Sequence, residues 1–362
     1  MPPGSWGNAK EIPARSSKRY RSADTIGRMP RHRYPRTANF ITARARWLAW
    51  LCALGALTAP VSRVLPMDRV PTLQWLVELA AHWQWLYLSV GAIALAALAL
   101  ARPRGRMGHG WLALAVLALG GSFLWQPATL PRGAEPSGPG AVLAVGSANL
   151  NLATTDFGPL TAWLASADGP DVVFLQEFTA LAQQALAGHP GVAARYPHRL
   201  EAPDPSPFGL AVLSRHPLSD LQTLQPRDLR DTLRLHATMA WNGKAVQLSA
   251  LHPMPPLDAG FAQARDRALV QEAERFAQTG GPALLVGDLN TTPWARSLFA
   301  VEATLRRTTG AAPSWPNAFG WLSVLPLDHV LASNGWQVLD SRTGPALGSD
   351  HRPVVVRLGL TP

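Results

Sequence analysis

Cysteine is nearly absent from this sequence of 362 residues, because Cys52 is the single example. One cysteine excludes an intrachain disulfide and a zinc site made of cysteines alone. Charged residues are also scarce, at 15% against roughly 25% in average soluble domains. A chain that is disordered throughout and rich in charge is therefore excluded. The length leaves room for about two domains.

Acidic residues are scarce in the first 140 positions, which hold 17 Lys and Arg against 5 Asp and Glu. Residues 141–362 hold 16 Lys and Arg against 18 Asp and Glu, so the net charge of +10 comes from the N-terminal part. Without a basic excess, residues 141–362 lack the electrostatic footprint of a duplex-binding protein. Residues 1–46 are rich in arginine without an apolar period, which predicts a disordered cytoplasmic tail. Met29 is an alternative start of the chain.

Three apolar runs follow within residues 47–125. They cover residues 47 to about 65, 83–101 and about 107–125, and the first is the shortest and is broken by Pro60. A helix needs about 20 apolar residues to cross a bilayer, which the second and third runs provide. A signal peptide or buried core helices are the alternative interpretations. Tryptophans near the ends of the runs favour a membrane region of about three transmembrane helices.

The distribution of arginine predicts the orientation of these spans. The tail before the first run and the loop with Arg102, Arg104 and Arg106 are basic, so both are expected on the cytoplasmic side. Everything after Trp125 then lies outside the cytoplasm, provided that the first run crosses. Residues 126–140 are dominated by Pro and Gly and predict a linker.

Residues 141–362 alternate short β-type runs with helical stretches, which predicts one mixed α/β domain. The predicted strands are Val142–Asn149, Val172–Gln176, Leu210–Ser214, Leu233–Trp241, Ala245–Leu251, Ala283–Gly287, His329–Ala332 and Val354–Leu358. The predicted helices are Phe157–Ser166, Phe178–Ala187, Ala259–Gln278 and Trp294–Ala300. Short gaps such as Asn242–Gly243 indicate antiparallel pairing between neighbouring strands.

Polar side chains recur where these strands end or begin. They are Asn149, Glu177, His252, Asp288, Asn290, Asp328, Asp350 and His351. Singly, each fits an ordinary turn, cap or loop residue. Together they form a chemical set, because carboxylate oxygens suit Mg²⁺ or Mn²⁺ and the histidines can exchange protons near neutral pH. The set predicts metal-assisted hydrolysis of a phosphate ester or anhydride.

The motifs that carry these residues resemble the ordered motifs of the endonuclease/exonuclease/phosphatase superfamily, also called the DNase I-like fold. They are Asn149, Gln176-Glu177, His252, Gly287-Asp288-Leu289-Asn290, Leu327-Asp328-His329-Val330 and Ser349-Asp350-His351. The resemblance covers about residues 141–359. It implies an α/β (α+β) four-layer sandwich with two central mixed β-sheets, preceded here by the transmembrane helices, and a divalent metal, Mg²⁺ or Mn²⁺, at one end.

The resemblance also implies metal ligands among these residues. Glu177 would be the principal ligand, with Asn149 beside it. Asp288 would orient the attacking water or a metal. Asp350 would be a supporting or second-metal carboxylate.

The remaining roles implied by the resemblance concern the phosphate and the transfer of protons. Asn290 would hold the phosphate, and His252 would hydrogen-bond a phosphoryl oxygen. Asp328 would orient His351, which would be a general base or a stabiliser of the transition state.

The substrate is not fixed by the fold. The membrane-anchored architecture resembles the teicoplanin-resistance membrane phosphatases of bacteria, which act on polyprenyl phosphates. This implies a lipid-linked phosphate as substrate and the bacterial cell membrane as location. The alternatives are an extracytoplasmic nuclease, a phosphodiesterase acting on a phospholipid head group, and a binding module without catalysis.

Other conspicuous residues receive a packing interpretation. Five tryptophans of the C-terminal part are predicted to pack in the core or in loops, namely Trp241, Trp294, Trp315, Trp321 and Trp336. His329 is predicted to point away from Asp328, since side chains alternate along a strand.

Overall fold

The computed structural model describes residues 35–64, 69–101, 106–124, 129–134, 141–228 and 230–360. Residues 1–34 of the predicted tail lie outside the described residues, as do residues 126–128 and 135–140 of the predicted linker. The described part of the linker lies on the C-terminal α/β domain. Thr129 and Arg132 form β-bridges with Arg307 and Val338, and Leu130 is buried between them.

Among the residues that the structure describes, four helices precede the α/β domain: α1 Pro35–Val64, α2 Pro71–Ala81, α3 Gln84–Ala101 and α4 Arg106–Leu124. Because α1 begins at Pro35, the prediction of a disordered tail is wrong for residues 35–46. The helix α2 lies between the first two apolar runs, where no element was predicted, and Pro71 occupies its first turn. Proline is favoured there because the first turn leaves its N–H groups without helical partners.

Two helical segments are long and apolar enough to cross a bilayer, Phe40–Val64 and Gln84–Ala101. The apolar part of α4 is shorter and covers Leu112–Ser122. The helix that contains the first apolar run is thus longer than the run itself, because it continues through Pro60 and begins before Trp47. Close packing joins the helices, since a Cβ at Gly91 of α3 would meet side chains of both α1 and α4. Small residues at such contacts are typical of membrane helices.

Residues 141–360 contain twelve strands in two six-stranded sheets. The first sheet has the order β11-β12-β1-β2-β4-β3 and the second β5-β6-β7-β8-β10-β9. The strands are β1 Val142–Asn149, β2 Val172–Gln176, β3 His198–Ala202, β4 Leu210–Ser214, β5 Leu218–Leu224, β6 Arg234–Trp241, β7 Lys244–Leu251, β8 Ala283–Asp288, β9 Leu305–Arg307, β10 Asp328–Ser333, β11 Trp336–Thr343 and β12 Val354–Leu360. Both sheets are mixed, since β1 pairs in parallel with β2 and β7 with β8, while the other pairs are antiparallel.

Helices cover the outer face of each sheet and complete four layers. They are α5 Gly158–Ala165, α6 Ala180–Gly188 and α7 Pro190–Arg195 on the first sheet, and α8 Ala259–Thr279 and α9 Arg296–Val301 on the second. The largest apolar cluster lies between the sheets and includes the stacked rings of Trp241 and Trp336, 5.5 Å apart. The predicted α/β sandwich with two central mixed sheets is thus confirmed. Because this core is closely packed, it fixes the positions of the strand ends.

Candidate active site

Six of the eight residues singled out in the sequence meet at one edge of the sandwich. The strands β1 and β2 run in parallel, as do β7 and β8, so their carboxyl ends face the same way. The strand β10 begins there, because it runs antiparallel to β8 with Asp328 opposite Asp288. Asn149, Glu177, His252 and His351 lie at the same edge, where a packed scaffold positions loop residues.

Asn149 links two carboxylates that come from different sheets, because Glu177 follows β2 of the first sheet and Asp288 is the last residue of β8 in the second. Its Nδ2 donates hydrogen bonds to Glu177 Oε1 at 3.0 Å and to Asp288 Oδ2 at 3.1 Å. Glu177 has φ of +54°, and its second oxygen accepts from the N–H of Leu152 at 2.6 Å. A left-handed backbone at a residue other than glycine costs about 1–3 kcal/mol and is concentrated at functional sites. Here it turns the Glu177 carboxylate toward Asn149.

Gly287 lets β8 approach β7 closely enough to bring Asp288 beside His252. A Cβ at Gly287 would overlap the carbonyl oxygen of Leu251, so glycine is required for this approach. Asp288 Oδ2 lies 3.6 Å from His252 Nε2 and also 3.6 Å from His351 Nε2. Asp288 Oδ1 accepts from the N–H of Asn290 at 3.0 Å. The buried Asp288 is therefore the centre of the cluster.

Asp328 and His351 form a buried pair. His351 Nδ1 lies 2.8 Å from Asp328 Oδ2, and the other Asp328 oxygen has no hydrogen-bond partner among the described residues. Burial alone lowers the pKa of His351, but the negative charges of Asp328 and Asp288 outweigh it and raise the pKa to about 10. In the protein without metal His351 is therefore protonated at neutral pH, and its Nε2 carries a proton that faces Asp288.

The neighbouring His329 has the opposite environment. Its Nε2 lies 3.0 Å from the carbonyl oxygen of Thr291, on the other face of β10. Burial lowers the pKa of His329 to about 4, so this ring is neutral at physiological pH. The side chain points away from the cluster, as the alternation of strand side chains predicted.

His252 is oriented by the backbone. Its Nδ1 lies 3.0 Å from the carbonyl oxygen of Pro207. Because a carbonyl oxygen accepts, Nδ1 is the nitrogen that donates, and Nε2 faces Asp288. In the imidazolium form Nε2 also carries a proton that a phosphoryl oxygen can accept.

Asn290 is held by a buried arginine that the sequence analysis did not single out. Asn290 has φ of +47°, and its Nδ2 donates to the carbonyl oxygen of Pro253 at 2.9 Å. Its own carbonyl oxygen accepts from Arg265 Nη1 at 3.0 Å. Arg265 is fully buried and pairs with Asp266 at 2.8 Å and with Glu78 of α2 at 2.5 Å. An ion pair therefore links α2 to the loop that carries Asn290.

Asp350 lies at the rim of the cluster. Its Oδ1 accepts from Asn151 Nδ2 at 2.7 Å and its Oδ2 accepts from Trp315 Nε1 at 2.9 Å. These two contacts join Asp350 to Asn151 and to the cleft residue Trp315. Trp315 lies in a loop, as predicted, and it also lines the cleft, where its ring centroid lies 6.5 Å from that of His351. Trp241, Trp294 and Trp336 are buried, as predicted.

A cleft of about 760 Å³ opens above these groups. Glu177, His252, Asp288, Asn290 and His351 line its polar part. The rest of its wall is largely apolar and includes Leu79, Trp83, Phe208, Met254, Leu257 and Leu325. The first two come from the end of α2 and the turn before α3. The site is therefore completed by the N-terminal helices, which no motif in the sequence indicates.

Residues 146–351 match the family model described as Endonuclease/Exonuclease/phosphatase family. The chain belongs to this family. Enzymes of the family hydrolyse phosphate ester bonds and generally depend on a divalent metal, so the chain is a metal-dependent hydrolase of this class. No curated protein matches the chain.

Solved structures support the same fold at low sequence identity. An endonuclease/exonuclease/phosphatase from Beutenbergia cavernae has 20% identity and a TM-score of 0.50, over 61% of this chain and 72% of that chain. Humanized TDP2 from D. rerio has 17% identity and a TM-score of 0.51, over 60% of this chain and 99% of that chain. A functionally unknown protein from Enterococcus faecalis has 15% identity and a TM-score of 0.51, over 60% of this chain and 100% of that chain.

The donor set of the site fits a hard divalent cation. The ligand atoms of Asp288, Asp328 and His351 lie within 4.8 Å of one another. Asp328 and His351 are close because they share a hydrogen bond. Glu177 and Asp288 instead direct carboxylate oxygens at the single amide of Asn149, where positive charge is favourable. Oxygen donors of this kind suit Mg²⁺ or Mn²⁺.

Proposed function

We propose that the chain is a membrane-anchored phosphohydrolase that cleaves a phosphate ester or anhydride on a lipid-linked phosphate, such as a polyprenyl phosphate. The observation that carries this proposal is the composition of the cleft. Groups suited to phosphate chemistry lie at its floor, and apolar residues form most of its wall. A substrate with a charged head and an apolar chain matches both parts, because apolar surface gains by leaving water.

In this proposal the metal is Mg²⁺ or Mn²⁺, and Glu177 and Asp288 hold it together with the amide of Asn149. When bound, the metal neutralises charge on a phosphoryl oxygen and polarises the attacking water. For Asn149 to ligate through Oδ1, its amide must turn, because Nδ2 faces the two carboxylates and Oδ1 accepts from the N–H of Asn151. Asp350 supports the site through Asn151 and Trp315.

In this proposal, side chains of the protein transfer the protons and stabilise the charge on the phosphoryl group. Asp288 Oδ2 orients the attacking water and accepts its proton. His351 Nε2 donates to the phosphoryl group as charge develops, and Asp328 keeps that ring protonated and correctly turned. Nε2 of His252 and Nδ2 of Asn290 bind the remaining oxygens.

The proposed topology is multi-pass, with the catalytic domain on the extracytoplasmic side. The end of α1 and the start of α3 both contact this domain, through Arg63 near Glu302 at 4.0 Å and Trp85 Nε1 bonded to the carbonyl oxygen of Ala311 at 2.7 Å. The opposite end of α3 is Ala101, and Arg102, Arg104 and Arg106 follow it in the sequence. If α1, α3 and α4 cross the bilayer, the basic tail and this basic loop share the cytoplasmic side.

The test is hydrolysis by the full chain in detergent micelles with Mg²⁺. Three substrates separate the candidates: a polyprenyl pyrophosphate, phosphatidylcholine and plasmid DNA. We expect phosphate release from the first, lowered at least about 100-fold in Glu177→Gln, because the principal metal ligand is lost. The matched control Glu274→Gln changes an exposed glutamate of α8 and should retain the parent rate.

Other outcomes reject the lipid-linked phosphate. Release of the choline head group without phosphate release from the pyrophosphate identifies a phospholipid phosphodiesterase. Nicking of plasmid DNA without lipid hydrolysis identifies a nuclease. Equal rates in the parent and in Glu177→Gln contradict metal-dependent hydrolysis at this site.

A further inference from the structure

The helix α2 buries its one charged residue against the protein and exposes several of its large apolar residues. Glu78 and, just beyond the helix, His82 are 3% and 6% exposed, and both contact the catalytic domain. Leu73 and Leu76 are 49% and 51% exposed, and Val70 before the helix is 50% exposed. A helix at a water-exposed surface has the reverse arrangement. We call Val70, Leu73 and Leu76 the outer face of α2.

The position of α2 in the chain identifies what covers the outer face. The candidate span Phe40–Val64 ends shortly before α2, and the candidate span Gln84–Ala101 begins shortly after it. A helix between the ends of two adjacent spans lies at the boundary between the bilayer and water. Trp83, exposed at the turn into α3, is of the residue type that is enriched at this boundary.

The catalytic cleft opens beside the outer face. Leu79 and Trp83 form one side of the cleft, and the segment Met254–Leu257 after β7 forms another. These two sides are tied together, because Trp75 Nε1 of α2 donates to the carbonyl oxygen of Pro256 at 2.7 Å. Leu257 is 66% exposed, so a large apolar side chain projects at the mouth of the cleft.

We propose that the outer face of α2 and Leu257 form a surface that is embedded in the lipid bilayer around the mouth of the cleft, so that an apolar substrate enters from the membrane without crossing water. The inference rests on the proposed membrane topology. Its consequence for catalysis also rests on the proposed function. The apolar area that Leu73, Leu76 and Leu257 expose would be unfavourable in water and is favourable in lipid.

A quenching experiment tests the embedded surface without reference to activity. The full chain, with Cys52→Ala as background, is labelled with bimane at Leu76→Cys, at Leu257→Cys or at Leu221→Cys, and reconstituted into phosphatidylcholine vesicles. Leu221 lies on the edge strand β5 and is 48% exposed, which makes it a matched control. Doxyl-labelled phosphatidylcholine should quench bimane at positions 76 and 257 and leave position 221 unquenched. Equal quenching at the three positions, or none, overturns the proposal.

A second experiment tests the route of the substrate. Leu73→Glu combined with Leu76→Glu changes the outer face and leaves the lining of the cleft intact. In vesicles we expect this variant to hydrolyse a bilayer-embedded phosphate at least tenfold more slowly and a water-soluble phosphate ester at the parent rate. The control pair Leu221→Glu and Leu224→Glu should retain both rates.

The results separate the two proposals. If the parent hydrolyses neither substrate, the proposed function fails, and quenching still decides the embedded surface. If the parent is active and the outer-face variant keeps its rate on the embedded substrate, entry from the bilayer is refuted. A loss on both substrates points to misfolding, and the quenching result then decides.

Discussion

The substitution Asp328→Asn isolates the charge that keeps His351 protonated. Asparagine has the shape of aspartate and can still accept from His351 Nδ1, so the 2.8 Å contact is retained. What is lost is a buried negative charge whose second oxygen has no other hydrogen-bond partner among the described residues. The substitution therefore changes the electrostatics of the pair more than its packing.

The magnitude follows from the pKa of His351. A rise from 6.5 to about 10 corresponds to about 5 kcal/mol of preference for the protonated ring. Asp328 is the closest carboxylate, at 2.8 Å against 3.6 Å for Asp288, so we assign it about half, or 2–3 kcal/mol. Because about half of the rise remains, His351 in Asp328→Asn stays largely protonated at neutral pH, and kcat there should change little. If protonated His351 stabilises the transition state, the fall of kcat at alkaline pH should begin at a lower pH than in the parent.

The assay combines NMR and kinetics. The histidine rings are labelled with nitrogen-15, and His351 is followed from pH 5 to 11 in the protein without metal. In Asp328→Asn the pKa of His351 should fall well below that of the parent, and the fall of kcat at alkaline pH should move to lower pH with it. Asp340→Asn, which removes a half-exposed carboxylate of β11, is the control and should change neither. A ring that titrates near 6.5 in the parent, or a fall of kcat that begins at the same alkaline pH in Asp328→Asn and in the parent, refutes the reasoning.

Two further predictions concern stability. The protein without metal should become less stable as pH rises. The reason is the raised pKa of His351 in the folded state, which adds stability that is complete below pH 6.5 and is lost as pH rises through about 10. The melting temperature measured in the presence of EDTA checks this. Glu78→Ala should lower stability by about 3 kcal/mol, because it leaves Arg265 buried with Asp266 as its remaining charged partner; thermal unfolding in detergent measures the loss.

Matched variants make both stability predictions falsifiable. His351→Gln should remove most of the fall in melting temperature between pH 6.5 and 10, and an unchanged fall would contradict the assignment to His351. Glu78→Gln retains an acceptor for Arg265 and should lose less stability than Glu78→Ala. If both variants at Glu78 melt like the parent, the buried pair does not hold α2 to the catalytic domain.

The central strands of both sheets could be predicted from the sequence, whereas the edge strands could not. The predicted bounds of β1, β2 and β4 agree with the structure, because β2 and β4 are buried throughout and β1 is buried at all but two positions. The four strands that were missed, β3, β5, β9 and β11, are the four edges of the two sheets. An edge strand buries less side-chain surface, so its apolar pattern is weak, as in the largely exposed β5.

The site residues that could be predicted from the sequence are those that lie directly at the end or the start of a buried strand. Asn149, Asp288 and Asp328 close or open buried strands, and the fold brings these ends together. Glu78 and Arg265 could not be predicted, because each is an ordinary polar residue on a helix and their contact joins positions 187 residues apart. The apolar wall of the cleft depends on the same long-range packing, so the sequence alone left the substrate open.

The central claim is that Glu177 and its neighbours hold a divalent cation in the cleft. Anomalous diffraction from crystals of the full chain grown with Mn²⁺ tests it most directly. The account predicts a manganese peak in contact with a Glu177 oxygen and beside Asp288, absent from crystals of Glu177→Gln. A peak elsewhere in the protein, or one unaffected by Glu177→Gln, would contradict it.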